Sequence, residues 1–477
     1  MTPRTALPVV VASWLVALVA VFLFPADLRD VAIPLCTGIA TAVSFIAILV
    51  ARSVVLPMGE IGAWFVGAVV VYLVLPLVVY VVLGGQYTPL NDARLFALQP
   101  TARDVASAAW LYVAFLISFC GAYLLVRANS EPARTQPTAG GRQLTAVMVG
   151  VWVTFTLVAL AVVPRISSET YAGQYAALAA LPLGIRQAIK LWQGWSIILA
   201  LAIRVRLFRD FANKKWIIAA WLLYDVLTTL AALGSRTNLV LSLGSCFVLY
   251  HLFVRPIRFK YAMAFGVTGL AGFLALGLLR EARGVGAAVT MAPGGIGGEF
   301  EALFANVVDL RQRFATGEMQ VIPIGFHFSD FAAIFPSQIF PFQKVDLAVW
   351  YETTFYPVAA EQGFASAFGV IAQGVIGLGA FELVIRGVAL GVGFAMIHRY
   401  FSRHSHRFWI VVFYVWMTMW SYQSFRNTSF IMLSYVIQQF IPLVLLIEGL
   451  RRLLGASSQP AVAQGVRASG RSMTGTR

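Results

Sequence analysis

Charged side chains are scarce in this chain of 477 residues. Only 12% of the residues are charged, whereas 60% are hydrophobic. Soluble domains carry about 25% charged and about 45–50% apolar residues, so the composition excludes a large water-soluble fold. Because about 20 apolar residues span the hydrocarbon core of a bilayer as one helix, a chain of this composition is expected to cross a membrane many times.

Cysteines and ligand-binding motifs are also few. Cys36, Cys120 and Cys246 each lie inside an apolar run, without CxxC spacing. They are typical of small buried hydrophobic residues and predict neither a disulfide framework nor a metal site. No HExxH, DxD or Walker-type glycine loop occurs in the sequence. No motif therefore predicts a metal or a nucleotide cofactor.

Twelve apolar segments predict an all-α polytopic membrane protein with about 12 transmembrane helices in a single domain over residues 1–454. Lipid forces each crossing to satisfy its own backbone as a helix. The sixth is the least regular, because residues 171–190 before it, interrupted by Pro182, also suit an interfacial helix. The segments are 6–25, 31–50, 61–84, 105–126, 143–163, 191–207, 214–234, 237–254, 261–279, 377–398, 408–424 and 429–449.

The net charge of +15, from 35 basic and 20 acidic residues, is explained by topology. With the N-terminus inside, 21 of the 35 Lys and Arg residues fall in inner segments. Basic residues are retained on the cytoplasmic side, so the pattern predicts an N-in/C-in orientation and no nucleic-acid partner. The small, polar and basic residues 455–477 are predicted to be a disordered cytoplasmic tail.

Residues 280–365 predict a large outer loop between the ninth and tenth spans, and loops of that length are usually functional. The loop contains eleven phenylalanines between Phe300 and Phe364, so it is expected to lie on or dip into the outer interface. Phe300, Phe304, Val307 and Phe314 approximate one face of a helix over residues 299–314. A folded aromatic plug and a lid over a cavity for a lipid-linked substrate both remain open interpretations.

Four arginines are predicted at the outer membrane boundary. Arg236 follows the seventh span, Arg280 and Arg283 end the ninth, and Arg426 lies in the last outer turn. A guanidinium stays charged and can bind two phosphate oxygens at once, so together they predict a converging pocket for an anion. For each arginine alone, the alternative is a snorkelling side chain that meets lipid headgroups.

Other polar residues of interest lie inside the spans or in the outer loop. Asp225 falls near the middle of the seventh span, and charges there usually face the protein interior. Glu382 and Arg386, four residues apart in the tenth span, have the spacing of an intrahelical ion pair, which favours a neutralised buried pair over catalysis. His327, the only histidine in the outer segments, is either a base or a structural residue among phenylalanines.

The second half of the chain resembles the O-antigen or oligosaccharide repeat-unit polymerases of bacterial polysaccharide assembly. Where that family often has an acidic residue before the final glycines, this chain has Ala372 and Gln373, so no catalytic acid is assigned there. The resemblance is carried by Gly234-Ser235-Arg236-Thr237-Asn238, Arg280-Glu281-Ala282-Arg283-Gly284, the segment EFEALFANVVDL, the glycine-rich run 363–379 and Arg426.

The resemblance implies a fold similar to the integral-membrane, GT-C-like glycosyltransferases, in the bacterial inner (plasma) membrane with an active site on the periplasmic side. It implies a polyprenyl-pyrophosphate-linked oligosaccharide as substrate, with membrane lipid, a chain-length regulator and a flippase as further partners. No cofactor, metal or nucleic acid is implied.

In the implied reaction, a hydroxyl of the acceptor unit attacks the anomeric carbon of the donor glycan, and polyprenyl pyrophosphate leaves. Positioned arginines would stabilise the charge that develops on the pyrophosphate. Arg236, Arg280, Arg283 and Arg426 are the expected pyrophosphate ligands. Arg280, Glu281 and His327 are the catalytic candidates, with Glu281 or His327 as the base for the acceptor hydroxyl.

Three alternatives stay open. An O-antigen ligase would use the same donor and also carry a large outer loop. A lipid-linked oligosaccharide flippase is kept open by Asp225, Glu382 and Arg386 in the spans, although transporters often show internal repeats and none is visible here. The third is a structural membrane component without chemistry.

Overall fold

The computed structural model describes residues 3–52, 59–127, 142–162, 181–210, 219, 236–257, 261–262, 264–269, 271–272, 298–320, 322, 326, 334–335, 345–361 and 367–456. All regular secondary structure in these residues is helical. Six helices in the described ranges are long and apolar enough to cross a membrane, so the chain is a helical, membrane-embedded protein. They are Ala6–Leu23, Ala26–Arg52, Ile61–Val82, Ala102–Val126, Ala380–His404 and Ile431–Leu454.

The first part of the chain forms mostly long helices. A short 3-10 turn, Ala26–Leu28, joins the first two, and a π-helical turn, Tyr250–Val254, extends the last. The helices are α1 Pro3–Leu23, α2 Arg29–Arg52, α3 Ile61–Val82, α4 Ala93–Leu98, α5 Ala102–Val126, α6 Arg142–Val162, α7 Leu183–Asp210 and α8 Arg236–Leu249.

The second part alternates short and long helices. A π-helical turn, Val436–Phe440, links α16 and α17 into one continuous helix. The helices are α9 Glu299–Thr316, α10 Leu347–Phe355, α11 Pro357–Glu361, α12 Val370–Ile376, α13 Ala380–His404, α14 Phe408–Trp420, α15 Gln423–Arg426, α16 Ile431–Tyr435 and α17 Ile441–Ala456.

Described helices coincide with ten of the twelve predicted segments, so a count of twelve spans stays a prediction. The segment 214–234 lies almost wholly outside the described residues, and 261–279 is described only in part. The sixth segment differs from its prediction, because α7 begins directly after Pro182 and runs without a break for 28 residues. Residues 183–190 thus belong to the same helix as the predicted span.

Helices α5 and α13 pack closely against each other in the core. A Cβ atom added at Gly387 would lie 2.7 Å from the backbone oxygen of Phe115, and one at Gly391 would lie 2.6 Å from that of Phe119. Small residues four apart let two membrane helices approach until their backbones touch. Gly387 and Gly391 therefore set the distance between these helices.

Large apolar side chains on the outside of the bundle have the exposure expected of a lipid-facing surface. In α1, 67% of Val16 and 80% of Leu23 are exposed. Exposed apolar surface on this scale is unusual in a soluble protein and suits hydrocarbon. All three cysteines are free and buried, as their apolar surroundings predict.

Helix α9 confirms the helix predicted over residues 299–314. It is not the amphipathic helix at an interface that was expected. Every residue from Phe300 to Leu310 is buried, including Glu301, Asn306 and Asp309. The helix packs against α3, α4, α5 and α12. Because its polar groups have partners in other segments, it can be enclosed on nearly all sides instead of lying on an interface.

The glycine-rich run before the tenth predicted span folds as a separate short helix. Gly369 (φ 86°) precedes α12, and Gly379 (φ 64°) follows it. Glycine adopts these positive φ values without strain. The chain therefore turns twice, and α13 begins at Ala380 instead of at residue 377.

Candidate functional site

Arg426 and Glu299 form an ion pair at one end of the bundle, and their Nη2 and Oε2 atoms are 3.2 Å apart. We call this end, which carries the segment 83–101 and α9, the loop end. It is the end predicted to be outer. The Tyr72 hydroxyl donates a hydrogen bond of 3.0 Å to Oε1 of Glu299. The pair thus joins the last predicted outer turn, the outer-loop helix and the third span.

The local sequence explains why these side chains meet. Glu299 is the first residue of α9, directly after Gly298 (φ 52°). Phe425, next to Arg426, is fully buried and packs against Tyr72 with ring centroids 5.4 Å apart. A buried aromatic anchor beside the arginine fixes the turn to the third span.

The pair remains within reach of a ligand. The Arg426 side chain is 28% exposed and that of Glu299 is 21% exposed. A carboxylate in the first turn of a helix is stabilised by the positive end of the helix dipole. Bound to that carboxylate, the guanidinium is oriented while part of its surface stays open to an anion.

A second cluster of polar groups adjoins the turn of Arg426. Glu382 and Arg386 form the ion pair that their spacing predicts, at 2.7 Å, in the first two turns of α13. Arg386 also donates to Oε1 of Gln373, at 3.2 Å, and to the Ser429 hydroxyl, at 2.9 Å. Arg386 therefore connects α12 and α13 to the turn that carries Arg426. Its role stays a prediction.

Gln373 stands in the neighbourhood where the resembled family often has an acid. Its side chain is 1% exposed, and its amide oxygen accepts the hydrogen bond from Arg386. Glu382, which pairs with the same arginine, also accepts a hydrogen bond of 3.1 Å from the backbone N–H of Leu378.

A buried network docks the segment 83–101 onto α9. Glu301 accepts hydrogen bonds from the Asn91 amide, at 2.9 Å, and from the Asp92 backbone, at 3.0 Å. Arg94 bonds the Asn306 side chain and the Ala302 carbonyl, at 3.2 Å. Polar groups buried in this way rigidify a structure only when they are satisfied, and these are.

Electrostatic interactions keep the Asp92 carboxyl of the segment 83–101 ionised. Burial alone would raise the pKa of the Asp92 carboxyl, but the Arg94 guanidinium and the backbone N–H groups of Arg94 and Leu95 outweigh it. The pKa of Asp92 is therefore lowered from its ordinary value. At neutral pH, Asp92 and Arg94 remain a 2.9 Å ion pair.

The outer-loop aromatic residues form part of a packed layer. Tyr351 donates a short hydrogen bond of 2.5 Å to Asp309, and burial together with that carboxylate raises the pKa of Tyr351 well above its ordinary value. Arg313 binds Asp309 at 3.0 Å and lies over the Phe355 ring, 4.3 Å from its centroid. These contacts fit either interpretation of the loop, so the aromatic plug and the lid both stay predictions.

Five of the predicted site residues lie outside the described residues: Asp225, Arg280, Glu281, Arg283 and His327. Arg236 begins α8, but its side chain is not described. The converging pocket of Arg236, Arg280, Arg283 and Arg426 therefore stays a prediction, and Arg426 is its one placed side chain.

Glu299 and Tyr72 were not predicted as partners of Arg426.

A buried cluster at the opposite end of the bundle was not predicted either. There Arg127 binds Glu60 with Nη2 and Oε1 2.5 Å apart, and the Tyr414 hydroxyl lies 2.8 Å from Nδ1 of His398. Glu60 directly precedes one predicted span and Arg127 directly follows another. Opposite charges at the same membrane boundary were the available signal.

Among the described residues, no group of three or more His, Cys, Asp or Glu side chains is arranged to hold a metal ion. No family model matches the sequence, and no curated protein and no solved structure matches it either.

Proposed function

We propose that the protein is a polysaccharide polymerase of the bacterial inner membrane, with about twelve spans and a fold similar to the GT-C-like glycosyltransferases. It would join polyprenyl-pyrophosphate-linked repeat units into O-antigen, capsule or exopolysaccharide on the outer face. The observation that carries the proposal is the partly exposed Arg426, held at the loop end by Glu299. The resemblance of the second half of the chain supports it.

The proposed step balances in atoms and charge. A hydroxyl oxygen of the acceptor unit bonds the anomeric carbon of the donor, and the bond from that carbon to pyrophosphate breaks. Its electron pair leaves with the polyprenyl pyrophosphate, and the hydroxyl proton passes to Glu281 or His327. No metal takes part in this scheme.

Arg426 would bind the leaving pyrophosphate together with Arg236, Arg280 and Arg283. Charge accumulates on the pyrophosphate as the bond breaks, so a positioned guanidinium binds the transition state more tightly than the substrate. Glu299 is a positioning residue in this proposal, because it contacts Arg426 and holds its guanidinium in place. A lipid-borne leaving group explains why the arginine lies at one end of the bundle, near the membrane boundary.

Arg426→Ala should reduce polymer yield about 100-fold, the scale of losing one oriented charge donor. The assay is complementation of a deletion strain, with the polymer separated by length on a gel and the variant's amount in membranes measured. Arg29→Ala, which removes an exposed arginine elsewhere at the loop end, is the matched control and should leave the polymer unchanged. Arg280→Ala is expected to abolish polymer as well.

Normal polymer from Arg426→Ala would overturn the proposal.

The phenotype of the deletion strain distinguishes a polymerase from a ligase and from a flippase. A polymerase defect leaves single repeat units attached to the cell surface, a ligase defect leaves polymer on its lipid carrier, and a flippase defect leaves repeat units on the inner leaflet.

A further inference from the structure

Arg426 lies between two anchored residues of the segment 421–430, which we call the Arg426 turn. Before it, the Phe425 ring is fully buried and lies 5.6 Å from the Phe115 ring in the core. After it, Ser429 is 1% exposed, and its hydroxyl accepts a hydrogen bond of 2.9 Å from Nη1 of Arg386. The backbone that carries Arg426 is therefore attached to the bundle on both sides of the arginine.

The guanidinium of Arg386 is itself held in place. Its Nε donates to Oε1 of Glu382 at 2.7 Å, and its Nη1 donates to Oε1 of Gln373 at 3.2 Å. Gln373, Glu382 and Arg386 are each less than a tenth exposed. A planar guanidinium that is bound to two acceptors has a fixed orientation, so its further bond to Ser429 fixes the position of that hydroxyl.

Helix α12 contacts the same turn. A Cβ atom added at Gly369, directly before α12, would lie 3.8 Å from the backbone oxygen of Arg426. Gln373, four residues further along, accepts the hydrogen bond from Arg386. The short helix thus lies against the backbone of Arg426 and also binds the arginine that holds Ser429.

Stability alone does not explain a charged pair at this place. Charged residues inside membrane spans are energetically unfavourable and are usually functional, and apolar side chains of similar volume often stabilise a fold as well as a buried ion pair does. A guanidinium differs from apolar packing because its N–H groups bond acceptors in defined directions. The pair of Glu382 and Arg386 therefore suits a turn whose position matters.

We propose that Arg386 is a positioning residue for Arg426 and that it acts through Ser429. In this proposal Arg386 contacts Ser429 and not the substrate. It fixes the Arg426 turn, so that the Arg426 guanidinium is already oriented when charge develops on the leaving group. The fixed turn is argued from the contacts alone, whereas its use in catalysis rests on the proposed function.

The kinetic test uses the full chain in lipid vesicles, supplied with polyprenyl-pyrophosphate-linked repeat units. Ser429→Ala should lower kcat about tenfold, the loss expected for one hydrogen bond to a charged group. KM should stay unchanged, because the orientation of Arg426 acts in the transition state. Ser421→Ala is the matched control, since Ser421 is equally buried in the same turn but its hydroxyl bonds the Thr418 carbonyl of α14.

Arg386→Lys tests whether Arg386 acts through Ser429. Lysine keeps the charge opposite Glu382, but its ammonium lacks the planar fork that reaches both Gln373 and Ser429. This variant should lose at least as much kcat as Ser429→Ala. Adding Ser429→Ala to it should cause no further loss, whereas the effects of two independent residues would add.

Hydrogen–deuterium exchange of the full chain in lipid nanodiscs measures the turn without turnover. The backbone N–H groups of residues 424–427, which are bonded within the turn, should exchange faster in Ser429→Ala than in the wild type and in Ser421→Ala. Faster exchange together with a lower kcat would support the proposal. Wild-type exchange, an unchanged kcat or additive losses in the double variant would each overturn it.

The two measurements separate this proposal from the proposed function. A wild-type chain that makes no polymer would reject the proposed function, and exchange alone would then decide whether Arg386 fixes the turn. A wild-type chain that makes polymer, with Ser429→Ala equal to it in kcat, would reject the positioning role and leave the polymerase standing.

Discussion

At the scale of single residues, Arg426 is defined by its neighbours. An isolated arginine at a membrane boundary has no fixed direction, because long basic side chains snorkel toward headgroups. Arg426 instead binds Glu299, which Tyr72 also holds. Orientation before the reaction is what distinguishes a catalytic donor from a general attraction for anions.

The pair of Glu60 and Arg127 illustrates the opposite case, a charge pair with a structural role. Both side chains are less than a tenth exposed, and removing one partner of such a pair leaves the other charge buried. Glu60→Ala should lower the free energy of unfolding by about 3–5 kcal/mol, measured by thermal unfolding in detergent.

Glu318→Ala is the control for that measurement. Glu318 is 58% exposed in its pair with Arg313, and exposed pairs contribute less than about 1 kcal/mol. Equal losses from Glu60→Ala and Glu318→Ala would show that the buried cluster does not stabilise the fold.

At the scale of elements, the sequence patterns predicted the features that depend only on residues close together in the chain. Apolar runs gave the long helices, and the four-residue spacing of Glu382 and Arg386 gave their ion pair. The burial of α9 was not predictable, because it depends on Glu301 meeting Asn91, 210 residues away in the chain. The partner of Arg426 was missed for the same reason, since no local signal joins the last outer turn to the start of α9.

The close packing of α5 and α13 predicts that a single methyl group added between them destabilises the protein. Gly391→Ala should lower the thermal stability of the protein in detergent, because the new Cβ would meet the Phe119 carbonyl and the backbone cannot yield cheaply. Overpacking of this kind costs about 1–3 kcal/mol.

Gly393→Ala, in the same helix, is the matched control, since nothing lies within 4 Å of its added Cβ. Alanine is the better helix former, so this variant should be neutral or slightly stabilising. Equal destabilisation by both substitutions would contradict the proposed helix contact.

At the scale of the whole molecule, the predicted orientation accounts for the net charge of +15. The basic excess belongs to segments predicted to be inner, whereas the arginines with a proposed function lie among segments predicted to be outer, whose charges nearly cancel. The total charge therefore carries no information on the substrate. The position of each arginine relative to the membrane is the informative feature.

The orientation can be measured with single cysteines in a background where Cys36, Cys120 and Cys246 are replaced. Arg103→Cys, at the loop end, should react with a membrane-impermeant maleimide in intact spheroplasts. His406→Cys, in the turn after α13, should react only after the membrane is opened. Both positions are exposed, so the reverse pattern would contradict the N-in orientation.

The most direct test of the central claim is polymerisation by the purified protein in lipid vesicles. The wild-type chain, supplied with polyprenyl-pyrophosphate-linked repeat units and no nucleotide sugar, should produce a ladder of polymers and release polyprenyl pyrophosphate in equal number to the new linkages. Arg426→Ala should reduce both products about 100-fold, while Arg29→Ala should match the wild type. An equal ladder from Arg426→Ala, or none from the wild type, would contradict the account.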